Sequence, residues 1–395
     1  MRQTIRRLLA GLAGLVLLLL ASPGVAGADS VGSPSPSKAT ASTPGGSAAT
    51  STPFYAYFYQ WFNASSWNRA KKDYPAVGRY SSDDPHVLRD QVQEAKAAGL
   101  NGFLTSWKHT DPLDRRLDLL LRVAQDEQFD VGLVYEALDF DRNPLPISRV
   151  RGDLVYLVQH FGSELKSRYY GRPVLIWTGT DQYSLADVRS VRRALGSRAY
   201  LLAASKSVSG YERVASAVDG EAYYWSSADP TSEATTAKLV NLGIAVHAHH
   251  GIWIAPATSG FDGTTLGHTR VIDRRDGRTL LRSLQDAVAS HPDAVGVISW
   301  NEWSENTYIE PGKRYGRQEL KVLSAFMQQR TRAPGDGAAP VPQTSGAGRS
   351  IFRWSGLQAA IALAVVTTAG VVVLTLRARR RTRFALSGRH LHGRN

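Results

Sequence analysis

The sequence predicts an α/β fold, a single (β/α)8 TIM-type barrel, on three observations. Eight short apolar runs recur through the middle of the 395-residue chain, with longer amphipathic stretches between them. Most of these runs end on aromatic or acidic side chains, as strands do when their C-terminal ends build a site. No G-x-G-x-x-G or G-x-x-x-x-G-K-S/T run follows any of them, which argues against the competing doubly wound nucleotide-binding sheet.

In chain order, residues 1–28 read as a secretory signal peptide. Arg2, Arg6 and Arg7 precede an apolar run from Leu8 to Ala21, and Ala26-Gly27-Ala28 is an A-x-A cleavage site. Residues 29–52 hold Ser, Thr, Pro, Gly and Ala with almost no bulky apolar side chain, so they predict a flexible linker that cannot offset its ordering entropy. The folded domain is expected over 53–330. Its strands are expected at 54–59, 102–107, 130–136, 173–178, 199–204, 220–225, 251–255 and 294–300. The clearest helix, 86–98, is introduced by Asp83, Asp84 and Pro85 and stopped by Gly99. Residues 331–353 repeat the linker composition. Residues 354–376 predict a transmembrane helix, because Leu357 to Leu376 carry no charge and Arg377, Arg379, Arg380 and Arg381 follow at once. Residues 377–395 then form a basic cytoplasmic tail. The expected location is the cell membrane, single-pass, with the barrel outside.

The net charge of +13 follows this topology, since three arginines lie in the first seven residues and seven in the tail. A nucleic-acid partner is therefore not implied. The chain has no cysteine, so a fold of this size must stand on its core alone.

The densest chemistry follows the last predicted strand, in the run ISWNEWSENTYIEPGKRYG from Ile298 to Gly316. Glu302 and Glu305 would point to opposite faces of an extended chain, so the backbone must bend between them if they serve one site. Two close carboxylates favour one protonated and one charged form, the division that acid and base catalysis needs. Trp300, Asn301, Trp303 and Glu310 crowd the same strand end. Other predicted strand ends offer Tyr57, Tyr59 and Trp61, then Trp107, then Tyr135 and Glu136, then Trp225 after Tyr223 and Tyr224. Any one aromatic is an ordinary core residue; their recurrence points to a cleft in which rings stack on sugar faces. Glu136 ends the apolar run VGLVYE and faces either solvent or the site. His247, His249 and His250 lack a completing carboxylate, which leaves them on a strand or loop, and Asp139 to Asn143 lacks the glycine and terminal Glu of a calcium loop. No metal site is expected.

The run NEWSENTYIEP resembles the N-E-W-x-E-x-T-x-I-E-P signature of the family 99 glycoside hydrolases and their endo-α-mannosidase-like relatives. FYAYFYQWF, GRYSSDDPHVLRDQVQEAKAAGLNGFLTSW and APATSGFDG are weaker echoes of the family's opening strand, its first helix with the second strand, and a late active-site loop. The resemblance covers about 270 residues, a single-barrel length. It implies a retaining glycosidase acting on an internal α-mannosidic bond, without metal or organic cofactor, through a 1,2-anhydro sugar. Glu305 would protonate the leaving oxygen and later activate water, and Glu302 would act as base on the substrate's own 2-hydroxyl. Tyr57, Tyr59, Trp61, Trp107, Tyr135, Glu136, Trp225, Trp300, Asn301, Trp303 and Glu310 are the expected substrate-binding residues. The expected partners are a glycan or polysaccharide and, through the C-terminal helix, the membrane. An endo-glycosidase on another α-linked polysaccharide and a non-catalytic glycan-binding barrel are the alternatives.

Overall fold

The computed structural model describes residues 52–139, 141–224 and 232–331. The expected signal peptide, both linkers except their inner ends at Thr52 and Thr331, the transmembrane helix, the basic tail and Trp225 lie outside these residues, and no helix among the described residues is long and apolar enough to cross a membrane.

The elements follow in the order β1 Phe54–Tyr59, α1 Pro85–Ala97, β2 Gly102–Trp107, α2 Asp111–Asp126, β3 Asp130–Tyr135, α3 Ile147–Phe161, β4 Val174–Trp177, α4 Leu185–Leu195, β5 Tyr200–Ala203, α5 Val208–Glu212, β6 Gly220–Ala222 and α6 Glu233–Ala248. After these come β7 Ile252–Thr258, β8 Phe261–Asp262, β9 Val271–Ile272, α7 Arg278–Ala289, β10 Ala294–Ile298 and α8 Gln318–Thr331. Eight parallel strands close in the order β1-β10-β7-β6-β5-β4-β3-β2, with Phe54 opposite Val295 at the seam. The expected (β/α)8 barrel is therefore present. An antiparallel hairpin, β8 with β9, interrupts the alternation between β7 and α7.

Local signals set the elements. Asp84 caps α1 by accepting from the backbone N–H of His86 at 2.9 Å, Pro85 occupies the first turn, and Gly99 ends it at φ +98°, a conformation that suits glycine. Leu88, Val92 and Ala95 then fall on one helical face and bury against the barrel. Ser184 and Asp187 cap α4 reciprocally.

In the barrel the pleat divides the strand residues between two cores. Phe54, Phe58, Phe103, Leu133, Trp253 and Val295 point outward into the layer between strands and helices. Tyr55, Tyr57, Leu104, Val134, Ile176 and Ile254 point inward and fill the barrel. Which residues reach the mouth is decided by this alternation.

Candidate active site

The segment after β10 folds back over the C-terminal end of the barrel. The Trp300 N–H donates to the carbonyl of Tyr57 at 2.7 Å. The Asn301 side chain accepts from the Tyr59 N–H at 2.8 Å and donates to the Tyr59 carbonyl at 2.9 Å, which clasps the loop to the end of β1. The Glu302 N–H is taken by the Ser299 hydroxyl at 2.8 Å, and the Thr307 N–H returns to the Glu302 carbonyl at 3.3 Å. The chain thus turns between Glu302 and Glu305, as two acids serving one site require.

Glu302 is 6% exposed, and its Oε1 accepts from the Ser304 N–H at 2.9 Å. Burial pushes its carboxyl up to about 8 and the negative charge of Glu305 adds to the rise, while the Ser304 hydrogen bonds and the Lys71 ammonium oppose it. Glu305 is half-buried, and its carbonyl accepts from the Asp262 N–H at 2.8 Å, so the β8–β9 hairpin backs the acid. The Tyr224 phenol is held well above its usual range by burial first and then by the fields of Glu305 and Glu302, so it lies within electrostatic reach of both. Tyr224 and Tyr59 share a phenol–phenol hydrogen bond, and Trp61, 39% exposed, packs its ring against Tyr59 at a tilt of 35°, with centroids 4.4 Å apart. An acid pair, two phenols and an open indole therefore share one end of the barrel.

Glu136 joins them. It follows the outward Tyr135, so its side chain turns inward, where it accepts from Ser106 Oγ at 2.9 Å and Thr178 Oγ1 at 3.3 Å. Burial raises its carboxyl despite these bonds and the nearby Lys108 and Arg142. Tyr57 stands one layer deeper, its ring 4.5 Å from that of Tyr224.

Three expected cleft residues lie elsewhere. Trp107, Tyr135 and Trp300 occupy outward positions of the pleat and are buried in the strand–helix layer, out of reach of a ligand at the mouth. Trp107 Nε1 donates to Asp114 of α2 at 2.9 Å, and the Tyr135 hydroxyl to Asp153 of α3 at 2.9 Å. Trp303, Asn301 and Glu310 sit beneath the loop rather than on its open side. Trp303 stacks on Tyr308 at 3.7 Å, and Glu310 accepts from the Tyr80 hydroxyl, Gln91 Nε2 and Trp303 Nε1. His249 and His250 lie in the turn after α6, a loop as expected, whereas His247 departs from expectation: it lies in the last turn of α6, where the apolar period through Leu239, Leu242 and Val246 prevails, and pairs with Asp293 at 3.0 Å. No group of three His, Cys, Asp or Glu suited to a metal occurs among the described residues.

Sequence reasoning passed over Lys71 and under-ranked Tyr224. Tyr224 was visible as an aromatic at the sixth strand end. Lys71 lies in the long β1–α1 loop, its Nζ 3.1 Å from the Ser66 carbonyl and 5.7 Å from the Trp67 ring, and nothing local marks it.

The model of glycosyl hydrolase family 99 matches residues 57–324. A human glycoprotein endo-alpha-1,2-mannosidase-like protein is 21% identical over 263 residues, covering 60% of this chain and 56% of that protein. Its namesake in mouse is 20% identical over 263 residues, covering 60% and 57%. The chain thus spans less than two thirds of the length of these relatives. Among solved structures, a GH99 endo-alpha-mannosidase from Bacteroides thetaiotaomicron aligns with a TM-score of 0.63 at 19% identity, over 71% of this chain and 98% of that one. A glycoside hydrolase-like protein aligns with a TM-score of 0.55 at 15% identity, over 69% and 93%. At such identities the structural likeness speaks for the fold alone.

Proposed function

From the premise that the chain belongs to glycosyl hydrolase family 99, we propose that it is a retaining, endo-acting hydrolase of an α-mannosidic or related α-linked glycan, with Glu302 and Glu305 as the reacting acids. The observation that carries this reading is the pair itself. A buried carboxyl and a half-buried one lie within each other's field at the C-terminal end of a barrel, flanked by Tyr224.

Glu302, in its ionised form, removes the proton from the 2-hydroxyl of the sugar. The freed O2 attacks C1 while Glu305 gives its proton to the leaving oxygen, which breaks the glycosidic bond and closes a 1,2-anhydro ring. Water then opens that ring at C1, losing its proton to Glu305, and Glu302 returns a proton to O2. Two inversions at C1 give retention without an enzyme-bound ester, unlike the usual retaining pair. Tyr59, Tyr224 and Glu136 supply hydroxyl and carboxylate partners for the sugar, and Trp61 an exposed face.

One observation favours exchanging the two roles. A carboxyl with its midpoint near 8 is mostly protonated at neutral pH and so suited to donate. The two assignments give opposite pH profiles: with Glu302 as base, kcat/KM of the free protein climbs as pH rises through about 8, and with Glu302 as acid it falls there. Release of reducing ends from α-mannans and α-glucans by the purified full chain, followed across that range, tests both the activity and the assignment. Absence of release from every α-linked glycan would leave a binding barrel as the better reading.

We further propose a cell-surface location with the barrel outside. Its support is the basic start and A-x-A site at residues 1–28 and the uncharged Leu357 to Leu376 stretch before the arginines. Protease added to intact cells should release a fragment of barrel size, and protection until lysis would reverse the orientation.

A further inference from the structure

We propose that Arg274 is a positioning residue that holds the loop bearing Glu302 and Glu305 from behind. This rests on the reading of those two acids as the reacting pair. Arg274 lies two residues past the end of the β8–β9 hairpin and is 4% exposed. Its Nη2 donates to two backbone carbonyls of the acid-bearing loop, Asn306 at 2.9 Å and Tyr308 at 2.8 Å. Its guanidinium lies over the rings of Tyr308 and Tyr315, 4.5 and 4.6 Å from their centroids. Nη1 is 3.4 Å from Glu319 in the first turn of α8, and that carboxyl is as deeply buried.

Stability alone does not account for this arrangement. A buried ion pair costs several kcal/mol of lost hydration per charge, and an apolar pair of the same volume is commonly as stable or more so. Here the pair is loose at 3.4 Å, and Arg274 Nε and both Glu319 oxygens make no hydrogen bond. What an apolar pair could not do is donate to two carbonyls of one loop from a fixed plane, and a lysine offers only a point charge on a flexible stem.

The held carbonyls are close to the chemistry. Asn306 follows Glu305 directly and sits at φ +55°, a left-handed conformation that surrounding bonds must hold. Between the two carbonyls, Thr307 donates to the Glu302 carbonyl at 3.3 Å and accepts from the Ser299 N–H at 3.0 Å and Ser259 Oγ at 2.7 Å. A shift of 306–308 is therefore transmitted to both acids. Gly260 makes room for the clamp, because a Cβ there would lie 3.0 Å from the Arg274 stem and 2.8 Å from the Ile272 carbonyl.

The test compares Arg274→Lys with Arg168→Lys in the full chain. Arg168 pairs with Asp130 at 2.7 Å, at the start of β3 and at the other end of the barrel. Displacing catalytic groups by about 1 Å costs on the order of 100-fold, so Arg274→Lys should lower kcat about 10- to 100-fold with KM nearly unchanged. The second readout is the titration of Glu302 by carboxyl-carbon NMR, assigned through the signal lost in Glu302→Gln. The groups facing Glu302 are Glu305 and Ser304 from its own loop, Lys71 from the β1–α1 loop and Tyr224 from the sixth strand end. A loosened loop admits water and separates the acids, so the midpoint should fall from about 8 toward the ordinary carboxylate range. Arg168→Lys should lower Tm and move neither kcat nor the midpoint. Unchanged kcat and an unchanged midpoint in a less stable Arg274→Lys protein would overturn the proposal. If Arg274→Lys does not fold, Glu319→Gln removes the charge that Nη1 faces, frees the guanidinium to tilt away from the two carbonyls, and should shift the same two readouts less far; no shift in either would overturn the proposal equally. Should the unaltered chain cleave no α-linked glycan, the functional reading fails while the Glu302 titration still decides the role of Arg274.

Discussion

The two faces of the loop after β10 hold one buried glutamate each, eight residues apart, and they are built on opposite terms. On the underside, Glu310 is met by three donors from three parts of the chain, Tyr80, Gln91 and Trp303, and burial lifts its carboxyl to about 7. On the open side, Glu302 is lifted to about 8 with donors from a single residue, the backbone N–H and hydroxyl of Ser304, and a second carboxylate for company. Similar proton affinities thus arise in a site already saturated and in one whose lone pairs are still to be used. What an acid can do for a substrate is read from the bonds it has not made.

The largest effect expected from this contrast is on turnover. Glu305→Gln and Glu302→Gln should each lower kcat by ~10²- to 10⁴-fold, because an amide keeps size and hydrogen bonding but cannot carry the proton. Glycan affinity should stay largely intact. Full activity in both would move the reacting centre away from this loop.

Next in size is stability at Glu310. Glu310→Gln offers two donors where three donors already converge, leaving at least one buried group unpaired at a cost of about 1–3 kcal/mol. Chemical denaturation should show that loss while activity per folded molecule falls far less than in Glu302→Gln. Equal losses of turnover at Glu310 and Glu302 would erase the distinction between the two faces.

A smaller, pH-dependent effect follows from the same carboxyls. Glu302 and Glu310, and Glu221 in the outer layer at about 8, all bind a proton more tightly folded than unfolded. Their protonation therefore stabilises the fold fully below pH 4.5, and that contribution is lost as pH rises through about 7 to 8. Asp83 and Asp262, whose carboxyls are lowered, act in the opposite sense only at more acid pH. Tm should thus decline from pH 5 to 8.5, and Glu302→Gln, which cannot charge, should flatten the decline and raise Tm at its alkaline end. A steeper decline in that variant would contradict the burial argument.

The smallest expected effect is at Trp61. Its exposed indole closes no core, so Trp61→Ala should raise KM a few-fold with Tm unchanged, whereas Trp300→Ala in the strand–helix layer should cost about 3–5 kcal/mol and leave KM alone. A loss of Tm in Trp61→Ala would show that it packs rather than binds.

The contrast also explains what sequence could and could not carry. Strand positions and the closed barrel were readable because apolar runs and caps are local: β1 and β2 lie where expected, and α1 is displaced by one residue. The Glu302 and Glu305 pair was readable because a bend was the condition for its use. Strand ends alone misplace Trp107, Tyr135 and Trp300, since a one-residue step along the pleat turns a side chain from the mouth to the helices; Ser106 and Glu136 face in where Trp107 and Tyr135 face out. The β8–β9 hairpin is two residues a side and leaves too short an alternation to detect. Arg274 and Glu319 lie 45 positions apart and meet only after the barrel closes.

The seam of the barrel has an orienting consequence. Phe54, which starts β1, lies against Phe326 and under the guanidinium of Arg330 near the end of α8, so the folded domain begins and finishes at one spot on the floor of the barrel. Glu302 and Glu305 open at the opposite end. Anything fastened to either terminus of the domain therefore holds it by the base, like a cup on a stem, and presents the acids away from the point of attachment, toward molecules arriving from beyond it.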